Sequence, residues 1–204
     1  MRVVVPFGAR NPKTRLAEYF SPSERTALAR AMLDDVLAAL ERAGHEPRVL
    51  STAPLDVPQP VTVDERPLTE AVNAALDPPT AVVMADLALA TPEALDRLFA
   101  PDADVVLAPG LGGGTNALVT RTPAFEVDYH GASYRDHREA AEAAGASLVT
   151  VDSFRLATDV DEPADLAEVL LHADPDGRTR TWLTDAGVEL AVTEGRVTVT
   201  RADA

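Results

Sequence analysis

The chain has 204 residues, 46% of them hydrophobic but only 4% aromatic, so Val, Leu and Ala must fill its core. It contains no cysteine, which excludes disulfides, thiolate catalysis and zinc–thiolate sites. A net charge of −15 disfavours a nucleic-acid partner, and no apolar run is long enough for a membrane span, so a soluble, cytoplasmic protein is expected.

Residues 3–5, all valine, begin a strand that gives way to a turn over 6–13. Ser21-Pro22-Ser23-Glu24 then announces a helix. Ser21 suits the N-cap, Pro22 the first helical position, and Glu24 completes a capping box. Apolar residues from Ala29 to Leu40 recur at helical spacing, and Gly44 is placed to close the helix. A short strand at 47–50 leads into 51–66, proline-rich and aperiodic, which reads as a surface excursion. Helix is expected at 67–76, followed by a buried strand at 80–85 that ends at Asp86. Thr91-Pro92-Glu93 opens another capped helix through 99. A strand at 104–108 precedes a glycine loop and a further apolar run at 117–120. Helix is expected at 133–144, strands at 147–151 and 154–157, and helix at 162–173. The tail alternates like a β-hairpin, 188–192 and 196–200 flanking Glu194-Gly195. Such alternation of strands and helices argues for an α/β fold with a mostly parallel, doubly wound sheet, as one domain over 1–204 with no internal repeat.

In such a sheet, ligands bind beyond the carboxyl ends of the strands. The turn after the first strand carries Arg10, Lys13 and Arg15, three cations in six residues of an acidic chain. It is not a Walker loop, because Pro12 stands where the second glycine should precede the lysine. Of 18 basic residues only Lys13 is a lysine, and a compact ammonium here suits phosphate, although a solvated basic turn would read alike. The scarcity of lysine together with the acidity fits adaptation to high salt, or an acidic protein from a GC-rich genome. Asp86 is placed for a divalent metal, or as an ordinary turn aspartate. Asp159 and Asp161 are two apart, so in an extended segment both carboxylates face one side and with Asp86 would form a three-carboxylate Mg²⁺ site. Asp161 is equally placed to cap the helix that follows. In Pro109-Gly110-Leu111-Gly112-Gly113-Gly114-Thr115-Asn116 four glycines suit bringing backbone N–H groups near a ligand, although a long flexible turn would read alike. The loop before the 133–144 helix, with Gly131 and the Ser133 hydroxyl, is a plausible anion seat. His137, one turn further, reads as a surface or packing residue and stays outside the catalytic set.

Taken together, Lys13-Thr14-Arg15-Leu16, Ala85-Asp86-Leu87, Gly114-Thr115-Asn116-Ala117-Leu118, Gly131-x-Ser133-x-x-x-His137 and Asp159-x-Asp161-x-Pro163 resemble the 2-phospho-L-lactate guanylyltransferase family. The resemblance covers about 2–172 and leaves the hairpin outside. It implies a nucleotidyltransferase fold of the glycosyltransferase-A-like type, a homodimer, and a step in coenzyme F(420) biosynthesis. In that step GTP and 2-phospho-L-lactate, or phosphoenolpyruvate in some relatives, yield a diphospho-guanosine product and pyrophosphate. On this reading Lys13, Arg15 and Asp86 are catalytic, and Asp86, Asp159 and Asp161 hold Mg²⁺. Arg10, Gly114, Thr115, Asn116, Gly131 and Ser133 bind substrate. Ala88 and Gly8 depart from residues common in the family, with Arg10 placed to supply the charge missing at Gly8. The rivals are a CTP- or molybdopterin-type nucleotidyltransferase, a non-catalytic nucleotide-binding module, and a structural protein of high-salt cells.

Overall fold

The computed structural model describes residues 1–193 and 195–201, and among these the strands fall into two sheets. The larger holds β1 (Arg2–Phe7), β2 (Pro47–Ser51), β3 (Val61–Val63), β4 (Thr80–Val83), β5 (Val105–Pro109), β6 (Thr115–Thr120) and β7 (Leu148–Thr150). Their order is β3-β2-β1-β4-β6-β5-β7, every neighbouring pair parallel except those made by β6, which runs against both β4 and β5. Strand side chains alternate between the faces. Val3, Val5 and Phe7 pack on one side with α1 (Pro22–Arg42), α3 (Pro92–Phe99) and α6 (Pro163–His172), whereas Val4 packs on the other with α2 (Leu68–Ala75) and α4 (Ser133–Ala143). Burying each of these valines contributes roughly 1.5–3 kcal/mol, which is why β1 sits inside the sheet and not at an edge. No described helix is long and apolar enough to cross a membrane.

The start of α1 forms as its residues specify: Ser21 is the N-cap, and Glu24 returns a carboxylate oxygen to the Ser21 N–H at 2.8 Å. Three elements differ from the sequence expectation. The 51–66 excursion contains β3, whose three residues pair with β2 as the sheet edge. Residues 154–157, expected as a strand, form the short helix α5 (Phe154–Ala157). A helix not expected at all, α7 (Arg178–Asp185), is capped from a distance: the Asp35 carboxylate of α1 accepts from the N–H groups of Arg178 and Thr179, both at 2.8 Å.

The expected hairpin is present as β8 (Val188–Thr193) and β9 (Arg196–Arg201), with Glu194 of its turn outside the described residues. It docks through buried Val188 and Val199. From its end, Arg201 stacks over the Phe20 ring, donates to the Tyr19 carbonyl and pairs with Glu24. That hydrogen-bonded pairing, with help from Ser21, holds the Glu24 carboxyl at about 2. The hairpin therefore braces the segment that joins the Lys13 turn to α1.

Candidate functional site

Lys13 is the centre of the site. It stands in the left-handed region, φ 53° and ψ 46°, a conformation that costs a non-glycine residue roughly 1–2 kcal/mol and is found where a surrounding structure enforces it. The enforcing group is Arg25 of α1, a residue the sequence reading passed over. Its buried guanidinium donates to the Asn11 side chain at 2.7 Å, to the Pro12 carbonyl at 3.1 Å and to the Phe20 carbonyl at 3.2 Å. Arg25 has no carboxylate partner among the described residues, so its donors are spent on holding the turn.

Held in this way, the Lys13 Nζ donates to Asp86 Oδ2 at 2.8 Å and to Asp161 Oδ1 at 2.6 Å. Burial opposes the ammonium charge, but the attraction and hydrogen bonds of the two carboxylates outweigh it, and the pKa is raised. Arg15 adds a second cation, 3.6 Å from Asp161 Oδ2. Asp161 is not the helix cap considered from sequence. Glu162 is the N-cap, and Asp165, at N3 of the capping box, reaches back to accept from the Asp161 and Glu162 N–H groups at 2.9 and 2.7 Å, so the Asp161 carboxylate is left to Lys13.

The antiparallel direction of β6 explains how the glycine loop joins this cluster. Because β6 runs backwards, its first residues lie at the same sheet edge as the carboxyl ends of β4 and β5. Asn116 there accepts through its carbonyl from the Met84 N–H at 3.0 Å, two residues before Asp86. The Asn116 amide donates to the carbonyls of Leu156 and Ala157, at 3.1 and 3.2 Å, and to Asp159 Oδ1 at 3.0 Å. The carbonyls at the end of a helix lack intrahelical partners, so this side chain, with the Leu111 N–H that also bonds the Ala157 carbonyl at 2.9 Å, terminates α5 and at the same time aims Asp159. Gly110 makes room for it: a Cβ at that position would lie 2.5 Å from the Asn116 Oδ1. The Val160 N–H, bonded to the Asp86 carbonyl at 3.2 Å, ties the two acidic segments together.

The three aspartates are not preassembled as a cage; among the described residues no group of three His, Cys, Asp or Glu side chains converges as metal ligands do. The donor set nevertheless fits a hard cation. Asp86 Oδ1 is buried without a hydrogen-bond partner, and the Asp159 carboxyl is raised above its usual range by burial and by the charges of Asp86 and Asp161, despite the Asn116 hydrogen bond.

Two cavities meet at Asp161. One of about 360 Å³ opens between Lys13, Asp86 and an apolar wall that includes Met32 and Leu50, with Arg10, Asp64 and Arg66 at its far side. The other, about 180 Å³, lies between Arg15, Gly112 and Asp159. Arg10 extends from the turn to pair with Glu65 at 2.5 Å and does not join the lysine cluster. Thr115 and Ser133 are buried behind the glycine loop, joined by a hydrogen bond from the Thr115 N–H to the Ser133 Oγ at 3.0 Å. Gly114 adjoins them, and Gly131 turns the chain into α4 at φ 55°. His137 is fully buried and hydrogen-bonded to Thr115, so it belongs to the site's support and not merely to its packing.

Comparison with known proteins agrees with this architecture. The family model described as guanylyl transferase CofC like matches residues 1–202, hairpin included. A 2-phospho-L-lactate guanylyltransferase of Natronomonas pharaonis is 65% identical over 201 residues, 98% of this chain and 99% of that one. Among solved structures, a candidate nucleotide-diphospho-sugar transferase of Desulfovibrio desulfuricans superposes with a TM-score of 0.72 at 18% identity, covering 90% of this chain and 94% of that one. A nucleotidyl transferase of Methanothermobacter gives 0.56 at 14%, covering 88% and 98%.

Proposed function

The chain belongs to the CofC-like guanylyl transferase family, and on that premise we propose that it condenses GTP with 2-phospho-L-lactate and releases pyrophosphate. The observation that carries this reading is Lys13, wedged between Asp86 and Asp161 where the two cavities meet. An oxygen of the acceptor phosphate bonds to the α-phosphorus of GTP as the α–β bridge bond breaks in line. A phosphate dianion is already nucleophilic, so no general base is needed, and the protein acts by positioning and charge neutralisation. Lys13 and Arg15 neutralise charge on the triphosphate and on the departing pyrophosphate. Asp86, Asp159 and Asp161 would hold a divalent cation, Mg²⁺ by the hardness of their oxygens, which when bound would supply positive charge to offset that of the phosphates. Gly114, Thr115, Gly131 and Ser133 hold the acceptor acid, with Asn116 supporting them. The enzyme is read as cytoplasmic, homodimeric and adapted to high salt.

Pyrophosphate release in molar salt tests the assignment, with GTP, CTP and ATP each crossed against phospholactate and phosphoenolpyruvate. Turnover is expected with GTP and phospholactate, and indifference to either partner would defeat the claim.

The larger cavity takes the nucleoside, and its far side suits guanine. Guanine presents N1–H and 2-amino donors that call for a carboxylate, and among the described residues Asp64 is the one acid lining that cavity away from the lysine cluster. The Arg66 side chain, bonded to Asp64 at 2.5–3.1 Å, and the Arg66 N–H hold the Asp64 carboxyl at about 2, so it is ionised at every working pH. Asp64→Asn is expected to lower kcat/KM for GTP by about 10–100-fold, the loss of a charge-assisted hydrogen bond. It should also narrow the preference for GTP over ITP, which lacks the 2-amino group. An unchanged GTP-to-ITP ratio would remove Asp64 from base recognition.

A further inference from the structure

His137 makes two hydrogen bonds that together define its tautomer. The Asp128 N–H points at Nε2 across 2.8 Å, and a backbone N–H can only donate, so Nε2 is the bare, accepting nitrogen. The ring proton therefore sits on Nδ1, which lies 2.9 Å from the Thr115 Oγ1. Nδ1–H donates, and the threonine oxygen accepts. The ring cannot swing away: it is fully buried, with Tyr129 and Phe125 packed edge-on at 5.1 and 5.9 Å between centroids. Burial also lowers its pKa to about 4 against the raising pull of Asp128 and Asp136, so the imidazole stays neutral and this tautomer persists.

The consequence falls on Thr115. A hydroxyl has one proton to give, and with His137 occupying a lone pair, the Thr115 proton has no acceptor among the described residues. Ser133 is in the same condition, its oxygen accepting from the Thr115 N–H. Two buried hydroxyls, each engaged as an acceptor by the protein and linked through the Thr115 N–H, thus keep unspent protons. Leaving such donors unmatched is costly, so their arrangement calls for an anionic ligand atom in front of them.

We infer that His137 is a positioning residue that locks the Thr115 hydroxyl as a hydrogen-bond donor toward the acceptor acid's carboxylate or phosphate. The inference rests on the reading that Thr115 contacts the acceptor, and it adds the group that sets the direction of that contact.

Two substitutions separate the hydrogen bonds of the ring. The amide nitrogen of His137→Asn can replace Nδ1–H and still donate to Thr115. The carbonyl of His137→Gln can replace Nε2 and still accept from Asp128, but it leaves Thr115 without its donor. Steady-state pyrophosphate release is measured with each substrate varied in turn, alongside thermal unfolding of each variant. His137→Gln is expected to raise the acceptor KM about tenfold, with the GTP KM within about twofold of the parent. His137→Asn should hold the acceptor KM within about threefold, even if its melting temperature falls as far. Adding His137→Gln to Thr115→Val should change the acceptor KM no further than Thr115→Val alone.

Equal losses in the Asn and Gln variants, tracking stability and affecting both substrates, would reduce His137 to packing and overturn the inference. An acceptor KM that rises in Thr115→Val but not in His137→Gln would overturn it while the acceptor seat stands. An unchanged acceptor KM in Thr115→Val would sink the seat and the inference together.

Discussion

Asp86→Asn is expected to reduce kcat/KM for pyrophosphate release by about 10³-fold, roughly 4 kcal/mol of barrier, while the fold stays within about 1 kcal/mol of the parent. The size follows from the two things its carboxylate does. One oxygen fixes Lys13 at 2.8 Å, and the other is buried with no partner, the atom best placed to ligate a cation. Asparagine keeps the shape and loses the charge, so both functions fail at the reacting phosphates. Stability changes little because Lys13 retains Asp161 at 2.6 Å and is not left as an unpaired buried charge. Steady-state kinetics across a magnesium titration, beside thermal unfolding, checks both halves. Turnover within threefold of the parent at saturating magnesium would mean that Asp86 is only a turn aspartate.

The parts of this site that were legible in sequence are those whose causes lie within a few residues. Ser21, Pro22 and Glu24 carry the whole start of α1 in four positions, and the hairpin's alternation is equally local. What was not legible depends on partners far along the chain. The N-terminal cap of α7 is Asp35, 143 residues away in sequence, and no residue near Gly177 announces it. The stretch Phe-Arg-Leu-Ala at 154–157 is too short for period to separate strand from helix, and its C-terminal carbonyls are satisfied by Asn116, 40 and 41 residues away. Strand direction was also hidden: the apolar run of β6 announces burial but not that it runs against its neighbours. Asp86 could be placed at a strand end, whereas Asp159 and Asp161 follow a helix and not the expected strand, and that Lys13 stands between Asp86 and Asp161 at separations of 73 and 148 residues is a property of the folded chain alone. His137 was set aside for the same reason. A lone histidine on a helix does not reveal that its ring faces Thr115, 22 residues before it.

Asn116 is where fold and chemistry are joined most tightly, and Asn116→Leu should damage both. Leucine fills nearly the same volume but cannot donate, so the Leu156 carbonyl and Asp159 Oδ1 lose their donor at once, while the Ala157 carbonyl keeps only the Leu111 N–H at 2.9 Å. Each buried acceptor left unmatched costs about 1–3 kcal/mol, and water reaching the exposed part of Asp159 offsets some of that. A net loss of about 2–4 kcal/mol corresponds, at roughly 2–4 °C per kcal/mol for a chain of this size, to a melting temperature lower by about 5–15 °C. The kinetic effect has a separate origin. Freed from Asn116, Asp159 is no longer aimed alongside Asp86 and Asp161, so kcat/KM should fall by about 10²-fold and the magnesium requirement should rise. The two effects can be told apart at a temperature well below both melting points, where the variant is fully folded. There, restored activity at high magnesium with the melting temperature still depressed would show that Asn116 acts on the reaction through Asp159. Parental activity and parental magnesium dependence in the destabilised variant would confine Asn116 to terminating α5. Gly110→Ala approaches the same side chain from the opposite direction, its added Cβ lying 2.5–2.9 Å from the Asn116 amide atoms. It should reproduce the kinetic defect in milder form while leaving all three hydrogen-bonding groups in the chain.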